Sequence, residues 1–420
     1  MKRLIYTALS VALAIFVCAS SCEKPDSGID IPAPPPSGNN GNGNENGNGN
    51  GGNENGNGGN ENGGGEEKPG THCTDIGQTP IILAYYTEYN EKAPEVTLLT
   101  HINYAHGRFA NPSTGDGGIV ITQSKQVPIS KVVALKEKNP KLKVCLMIGG
   151  WGGHADGFSM MARDAGKRAE FCHSVKELLA KHQMDGVDID WEYPTQSADN
   201  ETGCDPSDTK NFNIVLKQLR DSLGTGKIIS FASSSSAKYV DWPEAIKYLD
   251  YVNVMTYDMG AAPNGHNSPL YRSSTFNQRS CDESIDAHLK AGVPLERQVM
   301  GVPFYGKAEK NPAEGTKIFD YSVKYNEIPD ILEKGLYKGK PLARSVTRRW
   351  EATSMVPYLV DNSGKNVLSY DDPQSLTEKG KYAKDKKILG VMFWEYRYDD
   401  NNNSMLKALA NALYGKESTL

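Results

Sequence analysis

Between Asp185 and Pro194 the chain reads DGVDIDWEYP, so that three carboxyl side chains, Asp188, Asp190 and Glu192, alternate with Val187, Ile189 and Trp191. Successive side chains of a strand point to opposite faces. The three acids therefore share one face of a segment whose other face is bulky and apolar. Carboxyls placed side by side repel one another and are costly to desolvate, which a purely structural strand would avoid. Two anionic neighbours push Glu192 towards the neutral form, and a carboxyl that keeps its proton near neutral pH can act as a general acid. The competing readings are a charged edge strand and a cation-binding loop. Calcium loops, however, take Gly, Asn and Asp in turns rather than Ile and Trp in a strand.

Such a strand needs a scaffold, and the chain supplies the pattern for one. From about Thr71 short apolar runs recur at Ile81–Tyr86, Leu98–Tyr104, Leu142–Ile148, Gly186–Glu192, Lys227–Ala232, Tyr251–Thr256, Gln298–Pro303 and Ile388–Trp394. Helical spacings separate them. Phe171, Val175, Leu178 and Leu179 fall on one face, as do Phe212, Val215, Leu216, Leu219 and Leu223, and Ser404 is placed to cap a last helix carrying Leu406, Leu409 and Leu413. Eight strands alternating with helices predict an α/β fold, a (β/α)8 TIM barrel over residues 71–420. A doubly wound open sheet is the alternative, but the glycines at Gly149, Gly150, Gly152 and Gly153 lack dinucleotide-loop spacing. The interval between the seventh and eighth runs is too long for one helix. It contains short alternating pieces at Pro357–Val360 and Asn366–Tyr370, which predict a small α+β insertion over about 307–387.

In such barrels the site lies where the strands end. Those ends carry Gly149, Gly150 and Trp151, then Asp190, Glu192 and Tyr193, then Met255, Tyr257 and Asp258, then Phe304 and Tyr305, and finally Trp394 and Tyr396. Aromatic rings stack on the apolar faces of pyranoses, and acids bind hydroxyls and protonate a glycosidic oxygen. One aromatic ring alone is more often core than ligand; their convergence on one end of the barrel points to a sugar.

The remaining composition bounds the partners. A net charge of −5 over 420 residues offers no basic surface for nucleic acid. Lys2 and Arg3 precede an apolar run from Ile5 to Val17 that is too short to span a bilayer, and Ala19, Ser20, Ser21 and Cys22 follow. Ala-Ser-Ser-Cys resembles a bacterial lipobox, which implies a signal over 1–21, lipidation at Cys22 and a lipid-anchored protein of the cell envelope. An ordinary secretory signal with an incidental Cys is the alternative. Residues 22–70 collapse into Gly, Asn and Glu, too polar to bury a core, and read as a flexible tether. Cys73, Cys145, Cys172, Cys204 and Cys281 show no C-x-x-C pair, so no zinc site is expected; a disulfide among them stays open. No cofactor or metal is called for, and a monomer is expected.

With these segments in view the chain resembles glycoside hydrolase family 18, the chitinase family. DGVDIDWEYP matches its D-x-x-D-x-D-x-E signature, MTYD at Met255–Asp258 its strand-six motif, and GHNSPLY, GVPFYG, YDDPQSL and GVMFWEY follow in the family's order. The resemblance implies hydrolysis of β-1,4-linked N-acetylglucosamine polymers, retaining and substrate-assisted. It implies that Glu192 protonates the leaving oxygen, that Asp190 orients the substrate's 2-acetamido group, that Asp188 shares a proton with Asp190, and that Tyr257 holds the acetamido oxygen. Trp394 would floor the sugar subsite, and Asp185, Gly149, Gly150, Trp151, Tyr193, Met255, Asp258 and Tyr305 would complete the substrate contacts. Two positions depart from the pattern: Met147 stands where a Ser would bond the inner aspartate, and His106 where Phe is usual. An endo-β-N-acetylglucosaminidase acting on N-glycans shares the acid motif, and a glycan-binding lectin is the non-catalytic alternative.

Overall fold

The computed structural model describes residues 72–196 and 204–415, so the expected signal, Cys22 and the tether lie outside the described residues. Eight parallel strands follow one another around a closed sheet: β1 (Ile81–Thr87), β2 (His101–Phe109), β3 (Lys143–Gly149), β4 (Gly186–Asp190), β5 (Ile228–Ser233), β6 (Tyr251–Val254), β7 (Gln298–Pro303) and β8 (Gly390–Trp394). Pairing of β1 with both β8 and β2 closes the ring, and Ile119–Ile121 adds an antiparallel strand to β2. This is the expected (β/α)8 barrel. The strands are mostly apolar because both faces are buried, with polar residues such as Asp188, Ser230 and Asn253 confined to the inner face. In β1, Ile82, Ala84 and Tyr86 pack outward against the helical layer, whereas Ile81, Leu83 and Tyr85 fill the interior.

The outer layer consists of α1 (Ile129–Ala134), α2 (Phe158–Arg163), α3 (Ala165–Lys181), α4 (Asp208–Leu223), α5 (Trp242–Ala245) and α6 (Cys281–Ala291), then, after β7 and past α7 (Ile328–Lys334), which packs on the insertion, α8 (Pro373–Lys386) and α9 (Ser404–Tyr414). Phe212, Val215, Leu216 and Leu219 of α4 are buried, with the Phe212 ring edge-on to Trp191 and 4.9 Å from Phe231. α6 starts at a reciprocal cap between Ser280 and Glu283 and stops at Gly292, whose φ of 110° carries the chain out of the helix. The last helix is capped differently from the sequence reading. Ser404 is its first residue and makes no side-chain cap; Asp399 accepts from Met405 N and Leu406 N, and Asp400 accepts from Ser404 N. Charged oxygens just ahead of a helix satisfy its free N–H groups more strongly than a hydroxyl does.

The insertion is a five-stranded antiparallel sheet in the order Ser322–Lys324, Tyr305–Ala308, Asn366–Ser369, Val356–Asp361, Val346–Glu351. It begins two residues earlier than expected and ends well before residue 387. α8 belongs to the barrel, packing against β8 and α9 as the crossover helix between the last two strands. Across the bottom of the barrel the chain enters along residues 72–77. Cys73 N donates to Asp250 Oδ1 at 2.6 Å, His101 Nε2 meets Ile76 O at 2.7 Å and Lys143 pairs with Asp75 at 2.7 Å, all at strand beginnings. The five cysteines are free thiols.

Candidate active site

The acidic strand β4 puts Val187, Ile189 and Trp191 into the outer core, where Trp191 stacks on Phe158 at 5.3 Å. Its other face rises through the barrel towards the mouth. Asp188 is fully buried, and three donors from three other strands hold it. Ser230 Oγ reaches Oδ1 at 2.6 Å, Asn253 Nδ2 reaches Oδ1 at 2.9 Å, and the Tyr85 hydroxyl reaches Oδ2 at 2.8 Å. Burial raises the Asp188 carboxyl to about 6, against the pull of these donors. Asp190 ends the strand, 4 % exposed, and is hydrogen-bonded to Glu192. Burial, the Glu192 charge and the Asp188 charge push Asp190 well above the usual carboxylate range. Glu192 lies past the strand rather than on it, and Tyr193 also bonds to it.

Donors from β1, β5 and β6 take up both Asp188 oxygens, and Asp190 is paired with Glu192. One correction concerns Asp185. It precedes β4 at the bottom of the barrel, where Oδ2 accepts from Val144 N and Lys136 Nζ, each at 2.6 Å. With a rise of ~3.3 Å per residue it stands roughly 16 Å from Asp190. It ties β3 to the turn after α1, at the end of the barrel opposite the mouth.

Gly149 and Gly150 act through their backbone. Gly150 N donates to the Asp190 carbonyl at 2.8 Å. A Cβ on Gly149, whose φ is +104°, would lie 2.1 Å from that same oxygen. Both are buried, so they hold the end of β4 in place rather than offering a surface to a ligand. Trp151 next to them is 55 % exposed at the rim.

The other expected residues gather at the same end. Met255 is buried in the interior cluster, above β6. The Tyr257 ring fills the space that Gly301 leaves, since a Cβ there would come within 2.8 Å of Tyr257 Cε1. Burial first, and then the charges of Asp190 and Glu192, push the Tyr257 hydroxyl well up. The Tyr305 hydroxyl donates to Asp258 Oδ1 at 2.7 Å, and Lys307 Nζ meets the same oxygen at 3.1 Å. Tyr193 stacks on Tyr239 at 5.1 Å, and Trp394 lies half-buried 5.5 Å from the Tyr85 ring.

Sequence reasoning overlooked the donors to Asp188. Ser230 and Asn253 are single polar residues inside the apolar runs IISFAS and YVNV. A polar group on the inner face of an otherwise apolar strand was the available signal. His106 stacks on His154 at 4.4 Å, and its Nδ1 meets Glu88 at 2.9 Å beside Trp394.

Carboxyls, a buried tyrosine and tryptophans converging on the C-terminal mouth of a (β/α)8 barrel define a carbohydrate-cleft barrel. The chain belongs to family 18 of the glycosyl hydrolases, whose model matches residues 81–399. Among curated relatives, Chitinase A1 of Niallia circulans is 30% identical over 413 residues, covering 80% of this chain and 58% of that protein. Probable chitinase 2 of Drosophila melanogaster is 33% identical over 291 residues, covering 64% of this chain and 59% of that protein. The chain thus spans under two thirds of the length of either. Among solved structures, the Group IV chitinase of Ostrinia furnacalis in complex with allosamidin is similar, with a TM-score of 0.66 and 27% identity over 79% of this chain and 98% of that one. The multi-modular cell-surface chitinase ChiW of a Paenibacillus species gives 0.68 and 28% over 81% and 43%.

Proposed function

We propose that the protein hydrolyses β-1,4 linkages between N-acetylglucosamine units, as a chitinase-like glycosidase acting with retention and assistance from the substrate. The observation that carries this reading is the bonded pair of Asp190 and Glu192 at the mouth, with the Tyr257 ring at the same end of the barrel, packed on Gly301. Glu192 protonates the leaving oxygen. Asp190 and Tyr257 hold the 2-acetamido group so that its own carbonyl oxygen attacks the anomeric carbon. Trp394 floors the reacting sugar, and Trp151, Tyr193, Met255, Asp258 and Tyr305 line the cleft around it. The names of the relatives support chitin over N-glycans. Turnover assays on chitin oligosaccharides and on a high-mannose glycoprotein test the assignment. Cleavage of the glycoprotein alone would give the endo-glycosidase reading, and binding without cleavage the lectin reading.

The same proposal extends to location. A lipid on Cys22, followed by the polar tether, would hold the protein in the cell envelope. Residues 72–77 enter at the barrel face opposite the mouth, which suits a tethered enzyme that must reach bulky glycan. Among the described residues no helix is long and apolar enough to cross a membrane, so attachment would rest on the lipid.

A further inference from the structure

Asp258 follows β6 with a φ of +57°, in the left-handed region that a residue with a side chain occupies only where its surroundings hold it. Three groups hold it. The Tyr305 hydroxyl and Lys307 Nζ, both from the insertion, meet its carboxyl at 2.7 and 3.1 Å, and its N–H donates to Asn267 Oδ1 at 2.9 Å. At the other end of the Asn267 amide, Nδ2 donates to Tyr305 O at 3.0 Å. One fully buried amide thus joins the backbones of the two residues whose side chains meet. Asn267 is in turn held from the insertion. Its N–H donates to Ser369 Oγ at 3.0 Å, the same oxygen lies 3.2 Å from His266 Nδ1, and His266 Nε2 lies 2.5 Å from Glu351 Oε2. A single assignment of hydrogens satisfies every link: Ser369 accepts from Asn267 and donates to Nδ1, and Nε2–H donates to Glu351. That assignment needs a neutral imidazole, and burial lowers His266 despite the Glu351 charge. Glu351 also accepts from Ser273, Ser274, Thr353 and Ser354 at 2.8–3.2 Å.

We propose that Glu351 of the insertion, acting through His266 and Asn267, positions Asp258 and Tyr305 for the sugar. The proposal rests on the reading of Asp258 and Tyr305 as substrate contacts and assigns Glu351, His266 and Asn267 as positioning residues. The chain of bonds is unbroken from a strand of the insertion to the loop after β6, and its middle is dry. His266 and Ser369 are 1 % exposed, with the Phe276 and Tyr358 rings edge-on to the imidazole at 5.1 and 5.5 Å. Removing the Glu351 carboxylate leaves the buried Nε2–H unpaired, at a cost that drives the imidazole to turn. Ser369 then loses the partner that orients its hydroxyl, and the Asn267 amide loses what fixes it under Asp258. A backbone held at positive φ relaxes once its anchor loosens, and the carboxyl that meets the sugar moves with it.

The test is a double-variant cycle read in KM and kcat on a chitin oligosaccharide, with melting temperatures measured alongside. Asp258→Asn alone measures what the contact contributes. Glu351→Ala should raise KM about tenfold with kcat little changed, the scale of one hydrogen bond to a charged group. Combined with Asp258→Asn it should add almost nothing, because both changes act on one contact. Glu351→Gln keeps an oxygen for His266 and should hold KM near the wild-type value. Ser369→Ala cuts the chain further along with a smaller change of volume; it too should raise KM and add nothing to Asp258→Asn. Wild-type KM in folded Glu351→Ala and Ser369→Ala, or additive losses in the double variants, would overturn the proposal even where the melting temperature falls. Wild-type kinetics in Asp258→Asn would instead sink the reading of Asp258 as a substrate contact, and the proposal with it.

Discussion

Gly149 passes the Asp190 carbonyl so closely that a methyl group in place of its hydrogen would sit 2.1 Å from the oxygen. The backbone of β3 and the last residue of β4 are thus locked together, and Asp190 owes its position to a residue with no side chain. Gly149→Ala meets both that clash and the strain of a positive φ. Its expected outcome is displacement of Asp190 and loss of at least ~100-fold in turnover, in keeping with the scale of general acid–base catalysis. Wild-type activity together with an unchanged melting temperature would show that the contact does not matter.

Glu192→Gln is expected to keep the fold and glycan binding while losing about 10²–10⁴-fold in turnover. The amide fills the same volume but cannot give up a proton. Circular dichroism, binding isotherms of an oligosaccharide and initial rates together check this. Near-normal hydrolysis by the folded variant would remove Glu192 from its role.

The outline of the site was legible because its signals are local. Alternation within ten residues revealed the acids, and all eight strands were found where apolar runs occur. What was not legible depends on register. Ser230, Asn253 and Tyr85 meet Asp188 only because β1, β5 and β6 arrive at matching heights, which no single stretch of sequence encodes. Asp185 misled for the opposite reason: the motif spans a whole strand, so its first acid lies at one end of the barrel and its last at the other. The insertion was overextended because α8 carries Lys379, Tyr382 and Ala383 towards the core, where a polar spacing reads as surface.

Lys379 shows why that spacing deceives. It is fully buried, 2.6 Å from the equally buried Asp371, and also donates to Ser268 Oγ. Lys379→Met should destabilise the protein by ~3–5 kcal/mol, because it strands a buried carboxylate. Pairing it with Asp371→Leu should recover much of that loss, since removing both charges leaves nothing unpaired. Urea denaturation of the two variants measures it; additive losses in the double variant would contradict a coupled pair.

Asp399, which caps α9, offers a test of linkage. Burial raises its carboxyl to about 6 against the helix N–H groups that lower it. An acid whose folded pKa lies above the unfolded value binds more protons when folded, so its contribution to stability falls as pH rises towards 6. His101 and His288, each lowered by burial to about 4, work in the opposite sense over the same window. With two histidines against one acid, these groups together make the wild type lose stability between pH 7 and pH 5, by roughly 2 kcal/mol. Asp399→Asn removes the group that partly offsets this loss. Relative to wild type it should lose roughly 1 kcal/mol on acidification from pH 7 to pH 5. Denaturant midpoints at the two pH values check it, and parallel changes in both proteins would refute it.

The final expectation concerns stereochemistry. Asp190 ends β4, Glu192 follows two residues later, and the two are bonded to each other, so they meet the sugar from the same side. A nucleophilic carboxylate would have to stand across the ring, about 5–5.5 Å from the acid. Asp258, on the loop after β6, is tied instead to the Tyr305 hydroxyl and to Lys307. The acetamido oxygen of the substrate can take that place when Asp190 and Tyr257 hold it in line, and well-oriented internal nucleophiles reach effective molarities of about 10⁵–10⁸ M. The β-anomer should therefore appear first in NMR of fresh product from a β-linked oligosaccharide. A thiazoline mimic of the cyclic intermediate should inhibit, and the corresponding glucose polymer should scarcely react. Tyr257→Phe should lower kcat by more than it raises KM, because the hydroxyl serves the attacking oxygen. An α-anomer as first product, or brisk cleavage of the glucose polymer, would exclude participation by the acetamido group.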